Sequence, residues 1–279
     1  MHFKTLIVAL AASSALATPA FAQNRDTSGD FDGVYVGGSV GLATRSGDGA
    51  DRVVFDTARD PGTDNTVITS TGANAFAPGF CNGSSTLNAM TTTPCTGDND
   101  DIEYAVRLGF DKRFGNIVGG VLIEGSKSEA TDSTTAFSST PAGYSFTREV
   151  DYAISARARV GYTPNGGVLF YATGGGSYAR LDHTYRTTNT VNSFTPNNAD
   201  EMVWGYQAGG GAEIKLGSSL KLGMEYLYHQ YDDDKYFVAI GQGTAGATNP
   251  FVLAGGVNHR PSDTSYNFHT FRATLGFEF

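Results

Sequence analysis

Long apolar runs are absent from this sequence of 279 residues. No segment approaches the ~18 uninterrupted apolar residues that a membrane-crossing helix needs, so no such helix is expected. Cysteine is almost absent, with only Cys81 and Cys95, and tryptophan occurs once, at Trp204. Basic residues are scarce: 19 Lys and Arg face 28 Asp and Glu, and the net charge of -9 argues against nucleic acid as a partner. Metal-ligand spacing is missing, and no cofactor is expected. The glycine clusters Gly174-Gly175-Gly176 and Gly209-Gly210-Gly211 fall inside strand-like segments, not between a strand and a helix. They are therefore read as close-packing positions and not as phosphate loops.

What is present begins with a leader-like start. Lys4 precedes an apolar stretch from Leu6, and Ala20-Phe21-Ala22 fits a small-x-small cleavage site. Residues 1–22 are thus expected to be a removable signal peptide, and 23–279 the mature domain, beginning at Gln23. In an exported protein the pair Cys81 and Cys95 is expected to form a disulfide. The rival metal site would need further ligands, and no His lies close in sequence.

The rest of the chain alternates. In Asp101 to Lys112, Ile102, Tyr104, Val106, Leu108 and Phe110 share one face, while Glu103, Arg107 and Asp111 share the other. Further alternating segments are Gly33–Thr44, Asn116–Ser126, Val150–Tyr162, Met202–Leu216, Leu220–His229 and Ser265–Phe279, and Gly167–Arg180 is a Gly-rich strand of unsettled facing. Val150 is assigned to the outer face and Asp151 to the inner. Short turns, such as Phe114-Gly115-Asn116, Thr163-Pro164-Asn165-Gly166 and Gly217-Ser218, alternate with long polar segments at about 45–100, 127–146, 181–200 and 232–263. Eight strands with short connections at one end and long ones at the other predict an all-β, eight-stranded antiparallel transmembrane barrel with long extracellular loops. The mean hydropathy of -0.22 is compatible with this, because alternation hides apolar strands in the average.

In lipid every backbone polar group needs a partner, so the first strand must pair with the last. Eight strands leave an interior that side chains can fill. The inward residues include Arg107, Arg157, Arg159, Lys215, Lys221 and Arg272 against Glu103, Asp111, Glu124, Glu213, Glu225 and Glu278. We expect Arg107, Glu124, Arg157, Glu225 and Arg272 to form an ion-pair network at mid-depth in the lumen, since uncompensated buried charge is costly. His183 and His259 fall in predicted loops, and His229 and His269 near strand ends. No His-x-Ser pair shares a strand face, so no catalysis is expected.

The last strand, Phe268 to Phe279, resembles the C-terminal strand of the small porin-family, opacity-type outer-membrane proteins of alphaproteobacteria. Met224-Glu225-Tyr226-Leu227-Tyr228, Tyr171-Ala172-Thr173-Gly174-Gly175 and the Trp204 to Glu213 strand share the resemblance. The family is similar to the membrane domain of outer-membrane protein A. The resemblance implies a Gram-negative outer-membrane location, outer-membrane lipid as surroundings, and insertion by the barrel assembly machinery, which reads a terminal aromatic that Phe279 matches. It implies a structural surface protein without catalysis. The alternatives are adhesion to an extracellular ligand or host surface through the loops, or a narrow, low-conductance pore. The first loop, about Arg45 to Asp100, departs from the family in length and in its cysteines. No further domain is expected after Phe279.

Overall fold

The computed structural model describes residues 30–45, 51–57, 64–85, 95–140, 142–164 and 166–279. The expected leader and Gln23 lie outside the described residues. In chain order the strands are β1 (Gly33–Thr44), β2 (Val53–Asp56), β3 (Gly79–Asn82), β4 (Asp101–Phe114), β5 (Ile117–Ser128), β6 (Thr131–Ser138) and β7 (Ala142–Tyr162). They continue with β8 (Val168–Thr187), β9 (Ser193–Asn197), β10 (Asp200–Leu216), β11 (Leu220–Asp232), β12 (Phe237–Gly241), β13 (Val257–Pro261) and β14 (Ser265–Glu278), and a short helix α1 (Pro250–Leu253) precedes β13. Among the described residues no helix is long and apolar enough to cross a membrane.

Eight of these strands close a ring: β1, β4, β5, β7, β8, β10, β11 and β14. Closure is made by β1 against β14, from Tyr35 opposite Glu278 to Thr44 opposite His269. This pairing leaves no free edge to meet lipid. Alternation places Val36, Val106, Ile154, Val160 and Leu275 on the outside. Aromatic side chains gather at the two borders of that band: Tyr104, Tyr152, Trp204 and Tyr206 at one, Phe114, Tyr162, Phe170 and Phe277 at the other. The unsettled strand β8 turns Leu169, Tyr171 and Ser177 inward and Phe170 outward. Gly115, Gly166 and Gly217 supply the positive φ of the three short turns.

The wall strands differ in length. Ten or so tilted residues cross the membrane band, but β7 has 21 residues and β8 has 20. At ~3.4 Å per residue their far ends stand well clear of the membrane, on the side of the long connections. The segments read from sequence as polar loops are largely strands there. β6 and the first half of β7 form a tall hairpin, with Thr131 opposite Glu149 and Ser138 opposite Ala142. A separate four-stranded sheet, ordered β2, β13, β12, β9, closes over it. The reason is packing: Ala136 of β6 and Val238 and Ile240 of β12 turn into one shared apolar core. Their core joins Phe55, Phe76, Tyr144, Phe146, Tyr236, Val238, Ile240, Phe251 and Val257. The long connections therefore build a packed extracellular head with its own apolar core. The disulfide joins Cys81 on β3 to Cys95 across 14 positions of the first connection.

Two expectations are corrected. Val150 lies inside, not outside, because β7 carries a β-bulge: Leu181 opposes Val150 and Arg180 opposes Tyr152, leaving Asp151 as the extra residue, turned outward. His183 and His259 are not in loops but on β8 and β13, and both are buried.

Candidate functional site

The site with the most built chemistry is the lumen, which is filled in layers. The layer at the short-turn end is charged and aromatic. Arg159 donates to Asp111 at 2.7 Å and to Glu213 at 3.0 Å. Lys221 sits 3.3 Å from both Asp111 and Glu278, and Lys215 also pairs with Glu278. Tyr35 lies across this floor, with Arg159 and Lys221 over its ring at 4.8 and 3.6 Å. Gly109 makes room for it, since a Cβ there would run into the Tyr35 ring. Phe31, fully buried at a positive φ of 59°, packs with Val118, Leu169 and Tyr171 beneath.

The middle layer brings together all five residues expected there. Arg272 donates from Nε and Nη2 to Glu225 at 2.9 and 2.6 Å, and from Nη2 to Glu124 at 2.9 Å. Arg107 lies 3.1 Å from both Glu124 and Glu225. Arg157 reaches Glu124 at 3.0 Å and Glu225 at 3.5 Å. The arrangement adds a sixth member, Glu103, 3.6 Å from Arg272, and Tyr171 donates to Glu225 at 2.9 Å. Three guanidiniums thus face three carboxylates, and charge balances within the layer. The members come from β4, β5, β7, β11 and β14, so the layer ties five wall strands to one another across the lumen.

Above it lies an apolar layer of Ala43, Ala130, Val150, Ala153, Leu181, Val203, Tyr231, Tyr266 and Phe268. His229 stacks on Phe268 at 4.4 Å and bonds Thr270 at 3.1 Å. Sequence reasoning missed the next layer, at the neck between barrel and head. There Arg148 donates to Asp132 at 2.6 Å, Asp233 at 2.8 Å and Asp263 at 3.1 Å. Arg45 pairs with Asp51, Asp132 and Asp263. His183 places Nδ1 at 3.0 Å from the Ala199 carbonyl and Nε2 at 3.0 Å from Asp233, with its ring stacked on Tyr236 at 4.1 Å. Burial alone would raise the Asp233 carboxyl, but His183 and Arg148 outweigh it and hold it below the usual carboxylate range. The hidden signal was the bulge, which shifts the parity of every β7 residue before Asp151 and so turns Arg148 inward.

In the head, His259 is sealed among Phe55, Tyr144, Phe146 and Tyr185, its Nδ1–H donating to the Val238 carbonyl and its Nε2 accepting from the Tyr185 hydroxyl, both at 2.9 Å. Desolvation pushes its pKa down to about 3. Burial likewise drives the Tyr185 hydroxyl far above its ordinary range. His183 and His259 are each held at both ring nitrogens. Among the described residues no group of three His, Cys, Asp or Glu has a metal-binding arrangement. Phe279 is exposed, its amide donating to the Val34 carbonyl at 2.9 Å.

A family model described as the outer membrane protein beta-barrel domain matches residues 8–279. The chain is 25% identical over 175 residues to the 31 kDa outer-membrane immunogenic protein of Brucella melitensis, and equally to that of Brucella suis. The match covers 62% of this chain and 65% of those relatives' length. The crystal structure of outer membrane protein OprG from Pseudomonas aeruginosa is similar at a TM-score of 0.49 and 10% identity, over 90% of this chain and 97% of that one. Neisserial surface protein A is similar at 0.34 and 10%, over 89% and 98%.

Proposed function

The chain belongs to the outer membrane β-barrel family, and on that premise we propose that it is a closed, non-catalytic barrel of the outer membrane that holds a folded head at the cell surface. The observation that carries this reading is the layered interior. A solute crossing the lumen would have to part the ion-pair layer, whose members are almost wholly buried, and then a packed, mainly apolar layer whose Tyr231 and Tyr266 hydroxyls are already hydrogen-bonded. The head supports the same reading from outside, because its connections pack on an apolar core, as a rigid display surface does. Hydrogen exchange in micelles tests it. Amides of Val238, Ile240 and His259 should exchange as slowly as those of the wall strands. Exchange at the rate of free loops would refute a rigid head.

A second reading is adhesion through the head. It is favoured by exposed apolar side chains outside the head core, among them Ile68, Phe80, Val191 and Leu253. The Brucella relatives are named as immunogenic, which agrees with a loop face that meets the outside. Cells carrying the protein with β12–β13 replaced by a short turn should keep a folded barrel and lose any surface contact. Undiminished attachment would dispose of this reading.

A further inference from the structure

The bulge on β7 turns Arg148 and Val150 into the interior, and it has a second consequence on the outer face. A bulge gives up ladder pairing and re-aims a side chain. Here it swings Asp151 to the outer surface, between Lys127 of β5 at 3.6 Å and Arg180 of β8 at 3.9 Å. The row continues on both sides: Lys127 lies 3.7 Å from Glu129, and Arg180 lies 3.3 Å from Asp200 at the start of β10. Five side chains of alternating sign therefore run across neighbouring strands at the outer border of the membrane band, each between 37% and 59% exposed. Among the described residues the other Lys or Arg that faces outward on the outer half of the eight wall strands is Arg186, six positions beyond Arg180 on β8 and level with the head. Exposed pairs at these distances add little stability, so stability does not account for the row.

Below this row the same strands present a hollow to the lipid. Ala156 and Ala158 of β7 oppose Gly176 and Gly174 of β8, and on the other side of β8 Gly174 opposes Ala208 and Ala172 opposes Gly210 of β10, with Tyr206 opposite Gly176. On the other wall strands the outward small residues, such as Gly38, Gly119, Gly125 and Ala273, are interspersed with Val, Leu, Ile, Phe and Met. Tyr152 and the ring pair Tyr178 and Trp204, 4.7 Å apart, stand at the upper edge of the hollow.

The geometry points to a docking site for the phosphorylated headgroup of an outer-leaflet glycolipid, with phosphates on Lys127 and Arg180 and acyl chain in the hollow beneath. This rests on the outer-membrane location and not on the closed lumen or the head. A bare phosphate would meet three carboxylates and two cations, a net repulsion. A phosphate accompanied by the divalent counterions of an anionic leaflet matches the row sign for sign, with counterions at Glu129, Asp151 and Asp200. The separations of 3.6 and 3.9 Å around Asp151 leave these pairs loose enough to exchange partners.

Trp204 is the only tryptophan in the chain, so its emission reads this site directly. The mature protein in zwitterionic micelles is titrated with diphosphorylated lipid A, with its dephosphorylated form, and with inorganic phosphate, each in magnesium or in EDTA. A saturable change with the diphosphorylated lipid in magnesium is expected, with little response to the other two probes and weaker binding in EDTA. Lys127→Gln and Arg180→Gln should each weaken binding about tenfold, as loss of one charge-assisted contact does. Deleting Asp151 removes the bulge without touching either cation and should abolish the preference for the phosphorylated lipid. Heat-modifiable migration of each variant confirms a folded barrel. Equal response to the dephosphorylated lipid, or unchanged binding by the Lys127→Gln/Arg180→Gln double variant, overturns the proposal. So does lipid-independent cross-linking of two copies through this face.

Discussion

Removing Arg272 should cost the barrel far more than removing Arg272 and Glu225 together. Arg272 is fully buried and donates at 2.9 and 2.6 Å to Glu225 and at 2.9 Å to Glu124, with Glu103 3.6 Å away. Arg272→Met leaves three buried carboxylates facing two guanidiniums, Arg107 and Arg157. Breaking one side of a buried charge pair costs about 3–5 kcal/mol. Adding Glu225→Leu restores two against two and fills the space with apolar volume. Exchanging a buried pair for apolar side chains is often near neutral, so the double variant should lose only about 1 kcal/mol, mainly from the Tyr171 hydroxyl that donates to Glu225. Urea-dependent folding into phospholipid vesicles, followed by Trp204 emission, measures both. The reasoning is refuted if Arg272→Met costs under about 1 kcal/mol, or if the double variant costs the sum of the single ones.

Two further predictions concern the head and the floor. His259 is neutral in the folded head with a pKa of about 3, against ~6.5 in an open chain. Its depressed value means that the open state binds the proton first. The contribution of this group is constant above pH ~6.5 and is lost as pH falls, reaching about 2 kcal/mol at pH 5. Near-UV dichroism of the head should therefore weaken on acidification in that window, and His259→Phe should flatten the loss; equal acid sensitivity in the variant would contradict the assignment. Gly109→Leu forces a side chain into the Tyr35 ring and should destabilise by about 1–3 kcal/mol, the range of overpacking. Unchanged urea midpoints would show that Tyr35 does not lie across the floor as described.

The barrel was legible in the sequence because alternation is a local signal: each inward residue of Asp101 to Phe114 and of Phe268 to Glu278 declares itself by its neighbours. The middle layer was legible for the same reason. Arg107, Glu124, Arg157, Glu225 and Arg272 hold inward parity at similar distances from the short turns, and charge balance leaves them one another as partners. The neck was not. One unpaired residue, Asp151, reverses the parity of Arg148 and Val150, and nothing local marks a bulge in an otherwise unbroken alternation. The head escaped because Thr131 to Ser138 is polar in composition but packed in space. Its apolar partners, such as Phe55, Phe76 and Val257, come from distant connections. Glu103 was visible as inward, but its place in the network depends on the tilt that sets one strand against the next.

The most direct test of a sealed lumen is single-channel recording of the purified mature protein in planar bilayers at neutral pH. The account predicts a flat baseline for the native chain. Stable conductance steps from the native protein, present without denaturant and unchanged by Arg272→Met, would contradict it.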